Sequence, residues 1–235
     1  MRVLIVEDEA ALAMGLKFNF EQEGYEVTAA NDGVRALSCF QEAEHPFDLV
    51  ILDLMLPGKS GYEICQEIRR SDPTVPILVL SARSLSEDKA RAFDCGTDQY
   101  MTKPFALPEL LSRARNLIRR HSGRVTNGLA DVVRFGDVTV DVDRFQLTKQ
   151  GKTTDLTTTE LELLKYFLKH ENRVLSRAQI LEDVWGQRAE ITTRTIDNFV
   201  MRLRRLIEDD ASDPKHLISV RGTGYRFISG PDFDG

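Results

Sequence analysis

The chain has 235 residues, of which 42% are apolar and 29% charged, with three cysteines and a formal net charge of −6. This length predicts one large domain or two small ones, and the composition excludes a chain that is disordered throughout. The lack of a signal peptide, of an ~18-residue apolar span and of any CxxC pair predicts a cytoplasmic protein without membrane association, disulfide framework or zinc site.

The net charge is unevenly distributed. Residues 1–121 carry 14 basic and 19 acidic side chains, whereas residues 122–235 carry 17 and 18. An acidic chain is usually a poor candidate for nucleic-acid binding, but segment 192–205 holds four arginines and one aspartate. The small, polar stretch before residue 132 predicts a flexible linker. The predicted organisation is a first domain at 1–121, a linker at 122–131, a second domain at 132–230 and a tail at 231–235.

The first domain alternates short apolar runs with helically spaced segments. The runs are Val3–Val6, Val27–Ala30, Leu49–Leu52, Ile77–Leu80 and Tyr100–Met101. Uninterrupted apolar runs are typical of strands that are buried on both faces of a sheet. Five strand–helix units therefore predict an α/β fold with a doubly wound, five-stranded parallel sheet, in which ligands bind at the carboxyl ends of the strands.

Polar side chains follow four of these runs. They are Glu7 and Asp8, Asp53, Ser81, and Lys103. Three carboxylates at one sheet edge repel each other, which predicts a bound cation, and oxygen ligands with room for water favour Mg²⁺. A lysine and a hydroxyl beside the metal suit a phosphoryl group, with Asp53 as the nucleophile that forms an acyl phosphate. The alternative, that the acidic residues only cap helices, does not explain why all these groups follow successive strands.

Four strings in the first domain resemble bacterial receiver domains of the CheY/flavodoxin-like fold. They are Val6–Glu9, Asp53–Gly61, Ser81–Arg83 and Thr102–Phe105. The resemblance covers residues 1 to about 121. It implies that a sensor histidine kinase phosphorylates Asp53.

The same resemblance implies a ligand set and a switch. Mg²⁺ is expected to be held by Asp8, Asp53 and the backbone carbonyl of Met55, with Glu7 reaching the ion through water. The phosphoryl group is expected to meet Lys103. Ser81 and Tyr100 are the expected switch pair, in which the hydroxyl moves toward the phosphoryl group and the aromatic ring follows inward.

Three positions of the sequence can be compared with the usual receiver pattern. Glu7 stands where Asp is more usual, and Ser81 stands where Thr is more usual, so no functional group is lost. The family also has a cis peptide bond at the position of Lys103–Pro104, which fits the low cis cost of proline.

In the second domain, Arg194–Ile207 combines an apolar stripe with a basic face. Its apolar residues follow the spacing i, i+3, i+4, i+7, i+10, i+11, which predicts an amphipathic helix. Arginine and asparagine on the opposite face have the donors that read guanine and adenine in a major groove. A solvated charged face is the alternative interpretation. The candidate DNA-binding residues are Arg194, Thr195, Asn198, Met201, Arg202, Arg204 and Arg205 of the helix, and Arg221, Thr223 and Arg226 of a following hairpin.

The surroundings of this helix favour DNA binding. Helices with capping-box patterns begin near Thr157 and Ser176, two short strands cover Arg134–Val140 and Arg144–Lys149, and a hairpin with a glycine-containing turn follows the basic helix. Together with the strings Leu181–Gly186, Arg194–Asp197 and Arg221–Phe227, this α+β order resembles the winged helix-turn-helix output domain of OmpR/PhoB-type response regulators. The match runs from about Val132 to Ile228.

The second resemblance carries its own implications. The basic helix is expected to enter the major groove of promoter DNA, segment Gly186–Thr193 to contact RNA polymerase, and dimers to bind direct repeats. Met201 occupies a place where the family often has Arg, so base preference does not transfer at that position.

Receivers of this family pair through the fourth helix, fifth strand and fifth helix when phosphorylated, which implies a homodimer. Ordinary surface charges are the alternative interpretation, and exposed ion pairs are worth only ~0–1 kcal/mol each. Gln99 stands where the family usually has a second Asp, which removes one candidate pair. The candidate interface residues are Lys89, Asp98, Glu109, Arg113 and Arg115.

The sequence thus predicts a two-component response regulator that is not an enzyme beyond slow autodephosphorylation. Two alternatives concern the first domain. An aspartyl-phosphate hydrolase needs an acidic residue two positions after the nucleophile, where Met55 stands, and a flavodoxin-like cofactor domain lacks support because no glycine-rich loop follows Val6. A constitutive DNA-binding protein is the third hypothesis, and phosphate incorporation at Asp53 distinguishes it from the first.

Overall fold

The structure, a computed structural model, describes residues 1–122, 132–186 and 193–230. The chain divides into two compact units, Met1–Arg124 and Val125–Gly235. Most of the expected linker, the tail at 231–235 and most of the segment expected to meet RNA polymerase lie outside the described residues. Within the described ranges, every helix is too short or too polar to cross a membrane.

The first unit is a five-stranded parallel sheet flanked by helices, with the strand order β2-β1-β3-β4-β5. The strands are β1 Arg2–Val6, β2 Glu26–Ala30, β3 Leu49–Asp53, β4 Ile77–Ser81 and β5 Gln99–Thr102. The helices are α1 Ala10–Gln22, α2 Gly33–Gln41, α3 Gly61–Ser71, α4 Ser86–Asp94 and α5 Leu107–His121. Every predicted apolar run is a strand, so the predicted doubly wound sheet is confirmed.

The core of this unit lies on both faces of the sheet. Alternate residues of β1 point to opposite sides: Ile5 packs with Leu16 and Phe20 of α1, and Leu4 packs with Ile64 of α3. Burying each such side chain contributes ~1.5–3 kcal/mol. The chain reverses its winding direction between β1 and β3, and this switch point opens a crevice at the carboxyl ends of these strands.

The second unit combines two antiparallel sheets with helices. The four-stranded sheet is β6 Val132–Phe135, β7 Val138–Asp141, β8 Gln146–Lys149 and β9 Lys152–Asp155. The helical part is α6 Thr158–Lys169, α7 Arg177–Ile180, a π-helical turn Leu181–Trp185 and α8 Thr193–Ile207. The three-stranded sheet contains β10 Val174–Ser176, β11 Leu217–Val220 and β12 Gly224–Phe227, in the order β10-β12-β11.

The predicted capping boxes and final hairpin of the second unit are confirmed. Thr157 and Ser176 each accept a hydrogen bond from the backbone three residues later, and each receives the reciprocal side chain. Gly222 takes a φ of +75° in the turn between β11 and β12, a conformation that favours glycine. The predicted strand Arg134–Val140 is two strands, β6 and β7, because a turn at Gly136 divides it. The predicted strand Arg144–Lys149 contains β8, and β9 was not predicted.

Candidate functional site

The carboxyl ends of β1 and β3 bring three carboxylates together. Glu7 and Asp8 follow β1, and Asp53 ends β3; one carboxylate oxygen from each lies within 4.8 Å of the others. Glu7 and Asp53 are buried, whereas Asp8 is exposed. The cluster is therefore closed toward the core and open to solvent at Asp8, where a hydrated ion can enter. An all-oxygen donor set of this kind could hold a metal and suits Mg²⁺.

Lys103, just after β5, bridges the two buried carboxylates. Its Nζ donates to Asp53 Oδ2 at 2.6 Å and to Glu7 Oε2 at 2.7 Å. Burial raises the pKa of Glu7, and the hydrogen bond from Lys103 offsets this only in part. Burial lowers the pKa of Lys103, but its hydrogen bonds to Asp53 and Glu7 outweigh that effect and raise it overall. The ammonium compensates one of three carboxylates, so the site still attracts a cation.

The turn after β3 fixes the orientation of Asp53. Asp53 Oδ1 accepts a hydrogen bond from the backbone N–H of Met55 at 2.8 Å, while the Met55 side chain is exposed. The chain then passes so close to β3 that a Cβ on Gly61 would lie 2.3 Å from the backbone oxygen of Asp53. Gly61 was not among the predicted site residues, although it lies in the string Asp53–Gly61. Its need to be small is set by a contact that sequence spacing does not reveal.

Ser81 and Tyr100 lie on the adjacent strands β4 and β5, and both are fully buried. The Tyr100 hydroxyl donates to the Arg83 carbonyl at 2.7 Å, so its ring occupies an inward position. Burial raises the pKa of Tyr100. The peptide bond Lys103–Pro104 is cis, as the resemblance implied.

Two residues of the expected receiver interface, Asp98 and Arg113, are buried, and the prediction is corrected for Asp98, whose side chain is completely inaccessible. The Asp98 side chain is completely buried, and its Oδ2 accepts from Arg69 Nη2 at 2.7 Å and from the backbone N–H of Ile77 at 2.9 Å. Asp98 lies just before β5, and the Arg69 side chain of α3 pairs with it at the amino ends of strands β4 and β5. Its carboxylate therefore stabilises the fold and is not available to a partner.

The other four interface candidates have partners within the first unit. Arg113 pairs with Glu109 at 2.7 Å and donates to Gln99 Oε1 at 2.7 Å. The Lys89 ammonium lies 5.7 Å from the centre of the Tyr100 ring. Arg115, which is exposed, pairs with Glu23 of α1 at 3.0 Å. A role of these four residues between subunits stays a prediction.

The amphipathic pattern of α8 is confirmed. Ile196, Phe199 and Leu203 are buried, whereas Met201 and Arg205 are exposed on the opposite side. Two further candidates, Asn198 and Arg202, are half-buried, and Arg202 Nη2 lies 2.6 Å from Glu160 of α6. The side chain of Arg194 lies outside the described residues.

Two of the predicted DNA-binding residues, Thr195 and Arg204, are buried, and the prediction for them is corrected. The Arg204 guanidinium donates to the Leu217 carbonyl, from Nη2 at 2.6 Å and from Nε at 2.9 Å, and to Ser219 Oγ at 2.9 Å. Arg204 follows Leu203 directly and so lies at the margin of the apolar stripe, where β11 packs. Its charge anchors the hairpin to α8.

In the hairpin, Arg221 and Thr223 are exposed at the turn, and Arg226 is half-buried in the central strand β12. The turn therefore presents a cation and a hydroxyl to the surroundings. Such groups are suited to phosphate oxygens, which position a protein on DNA without reading its sequence.

Two neighbouring arginines of α8 are expected to differ in their effects. Arg204→Ala leaves the buried Leu217 carbonyl without its charged donor and should lower the free energy of unfolding of the second unit by about 1.5–3 kcal/mol. Arg205→Ala removes an exposed side chain and should change that free energy by less than about 0.5 kcal/mol. Urea titrations followed by the fluorescence of the single tryptophan, Trp185, measure both values. Equal losses of stability would contradict the assignment.

Comparison with known proteins covers both units. Residues 3–115 match the family described as response regulator receiver domain, and residues 151–227 match transcriptional regulatory protein, C terminal. Over 225 residues the chain is 40% identical to the sensory transduction protein RegX3 of Mycolicibacterium smegmatis, covering 95% of this chain and 97% of that protein. It is 40% identical over 231 residues to a probable transcriptional regulatory protein of Picosynechococcus, covering 96% and 92%. A solved structure of a RitR mutant, 25% identical, covers 97% of this chain and 99% of its own with a TM-score of 0.77.

Proposed function

Because this chain belongs to the response regulators that join a receiver domain to an OmpR/PhoB-type DNA-binding domain and control transcription, we propose that Asp53 is its phosphoacceptor. The observation that carries the proposal is the position of Asp53 between Met55 and Lys103. One carboxylate oxygen accepts the Met55 N–H and the other accepts the Lys103 ammonium. These two contacts aim the carboxylate and leave further lone pairs for reaction.

The donor is the phosphohistidine of a sensor histidine kinase. An Asp53 oxygen attacks the phosphorus, the P–N bond breaks with its electron pair going to the imidazole, and the imidazole nitrogen takes a proton from solvent. The product is an acyl phosphate on Asp53. Lys103 neutralises one phosphoryl oxygen, and the Ser81 hydroxyl donates to another. Slow hydrolysis of the acyl phosphate would end the signal by returning Asp53 to its unphosphorylated form. We propose no turnover of any other substrate.

Mg²⁺ is the proposed cofactor of this step. Asp8, Asp53 and the backbone carbonyl of Met55 would hold the ion, with Glu7 reaching it through water. When bound, it neutralises charge on the phosphoryl oxygens during transfer. The exposure of Asp8 beside two buried carboxylates supports this assignment, because the open side leaves room for the waters that Mg²⁺ retains.

The output step is proposed to be dimerisation of phosphorylated receivers followed by binding to direct repeats in promoter DNA and contact with RNA polymerase. The remaining interface candidates are Lys89, Glu109, Arg113 and Arg115, and the exposed DNA-facing candidates are Met201, Arg205, Arg221 and Thr223. Pairing two receivers raises the effective concentration of the second DNA-binding unit without altering either unit. We propose a cytoplasmic location for the chain, where promoter DNA and RNA polymerase would be accessible to it.

Removal of the metal tests the chemistry of the site. With acetyl phosphate as donor, chelation of Mg²⁺ by EDTA should slow phosphoryl uptake on the order of 100-fold, since metal stabilisation of phosphoryl transfer is worth several kcal/mol. Intact-protein mass spectrometry follows the uptake. Asp8→Asn should need more Mg²⁺ for half-maximal uptake, while Asp94→Asn, an exposed aspartate of α4, should behave as the native protein. Equal uptake with and without Mg²⁺ would contradict the proposal.

A further inference from the structure

The Ser81 and Tyr100 side chains interact with each other, and each also contacts the main chain of Arg83. The backbone N–H of Arg83 donates to Ser81 Oγ at 3.2 Å, and the backbone carbonyl of Arg83 accepts from the Tyr100 hydroxyl at 2.7 Å. A displacement of either side chain therefore acts on one of the two peptide units that flank the Arg83 Cα. Arg83 lies in the loop between β4 and α4.

The side chain of Arg83 extends this connection to helix α4. Its Nη1 lies 2.9 Å from Asp88 Oδ1, in the first turn of α4. The Arg83 side chain is 46% exposed, and that of Asp88 is 16% exposed. The ion pair ties the loop that both switch residues contact to the helix that the proposed dimer would use.

A residue of α3 completes the arrangement. The Tyr62 hydroxyl lies 3.3 Å from Asp88 Oδ1, and the Arg91 guanidinium stacks 4.3 Å from the centre of the Tyr62 ring. Burial, followed by the Asp88 carboxylate, raises the pKa of Tyr62 to about 12, so its hydroxyl stays a donor at neutral pH. Asp88 is thus fixed from two sides, by the β4–α4 loop and by α3.

We propose that the Arg83–Asp88 pair is a positioning element that couples the Ser81 and Tyr100 switch to helix α4. This inference rests on the proposed function, because it concerns how phosphorylation of Asp53 reaches the receiver surface. The Arg83 and Asp88 side chains pair with each other and do not belong to the carboxylate cluster of Glu7, Asp8 and Asp53. The pair holds the loop in the position in which Tyr100 is inward, and it thereby favours the form that dimerises.

The test compares phosphoryl uptake with dimerisation in the full chain. Acetyl phosphate and Mg²⁺ are added, mass spectrometry measures the phosphoryl content, and sedimentation velocity gives the dimer dissociation constant with and without donor. Arg83→Ala and Asp88→Asn should take up the phosphoryl group as the native protein does. Each should reduce the donor-induced gain in dimer affinity by about three- to fivefold, the size expected for one exposed ion pair.

Three controls separate coupling from a general structural effect. The double variant should lose no more than either single variant, because both remove the same pair. Arg83→Lys, which keeps the cation, should restore the gain, and Arg70→Ala, an exposed arginine of α3, should leave it unchanged. Melting temperatures measured in parallel should fall by no more than about 5 °C, the loss expected when one ion pair is removed.

The possible outcomes distinguish a failure of the proposed function from a failure of the coupling alone. A native protein that takes up no phosphoryl group overturns the proposed function and this coupling with it. A native protein that gains dimer affinity, together with Arg83→Ala and Asp88→Asn variants that gain just as much, overturns the coupling alone. Additive losses in the double variant also contradict a shared pair.

Discussion

Asp53→Asn is expected to take up no phosphoryl group and to lose the whole donor-induced gain in DNA affinity, which should be on the order of 100-fold in the native protein. The amide is not a nucleophile toward phosphorus, yet its oxygen can still accept the Met55 N–H that orients the native side chain at 2.8 Å. Glu7 remains to receive the Lys103 ammonium. The substitution therefore removes the chemistry while retaining the contacts, and affinity without donor should be unchanged.

Fluorescence anisotropy measures this prediction. The probe is a labelled DNA duplex selected in vitro from genomic fragments by donor-treated native protein, and the comparison uses matched samples with and without acetyl phosphate. Glu42→Gln, which makes the same carboxylate-to-amide change at an exposed residue directly after α2, is the control and should respond to donor. An Asp53→Asn protein that gains affinity as the native protein does would refute the assignment of Asp53.

Arg69→Ala is expected to have the largest effect on stability, a loss of about 3–5 kcal/mol in the unfolding of the first unit, because it leaves the fully buried Asp98 carboxylate without its cation. The Arg69 guanidinium also donates from Nε to the Gly96 carbonyl at 2.9 Å. These contacts tie α3 to the loop that precedes β5. Asp98→Asn in the same variant should recover part of the loss, since it removes the uncompensated charge.

The unfolding of the two units can be measured separately in the Arg69→Ala variant. The single tryptophan, Trp185, belongs to the second unit, so its fluorescence gives an internal control, while far-UV circular dichroism also detects unfolding of the first unit. Urea titration of Arg69→Ala should shift only the circular dichroism transition. Arg70→Ala, the exposed neighbour on α3, should shift neither by more than about 0.5 kcal/mol. A loss below about 1 kcal/mol in Arg69→Ala would show that the pair does not carry the stability assigned to it.

The fold was predictable because its signal is local. The run Leu49–Leu52 is apolar at every position, and a strand covered by helices on both faces has that pattern. Thr157 and Glu160 are three residues apart, a capping-box spacing that predicts the start of α6. Both hydrogen bonds of the capping box form in the structure. The division of the segment before α6 into four strands was missed, because positive-φ turn residues such as Gln150 carry little sequence signal.

The candidate site was predictable where the position of a residue follows from its place at the end of a strand. The carboxyl end of a parallel strand fixes where Asp53 and Glu7 lie, so their proximity follows from topology alone. Burial of charged side chains does not follow in this way. Asp98 and Arg204 are charged, so the sequence predicts that they lie at the surface. Each is instead buried against a partner that is distant in sequence: Asp98 against Arg69, and Arg204 against the Leu217 carbonyl. The role of Arg83 is similarly hidden, because two of its contacts use the main chain.

The central claim is that one carboxylate, Asp53, receives the phosphoryl group. Its most direct measurement is reductive trapping of the acyl phosphate with borohydride after treatment with acetyl phosphate and Mg²⁺, followed by peptide mass spectrometry. Borohydride converts an aspartyl phosphate to homoserine, which marks the modified position permanently. The homoserine mark should occur at Asp53 alone and disappear when EDTA replaces Mg²⁺. A mark at Glu7, Asp8 or another carboxylate, or an unmodified chain after full treatment, would contradict it.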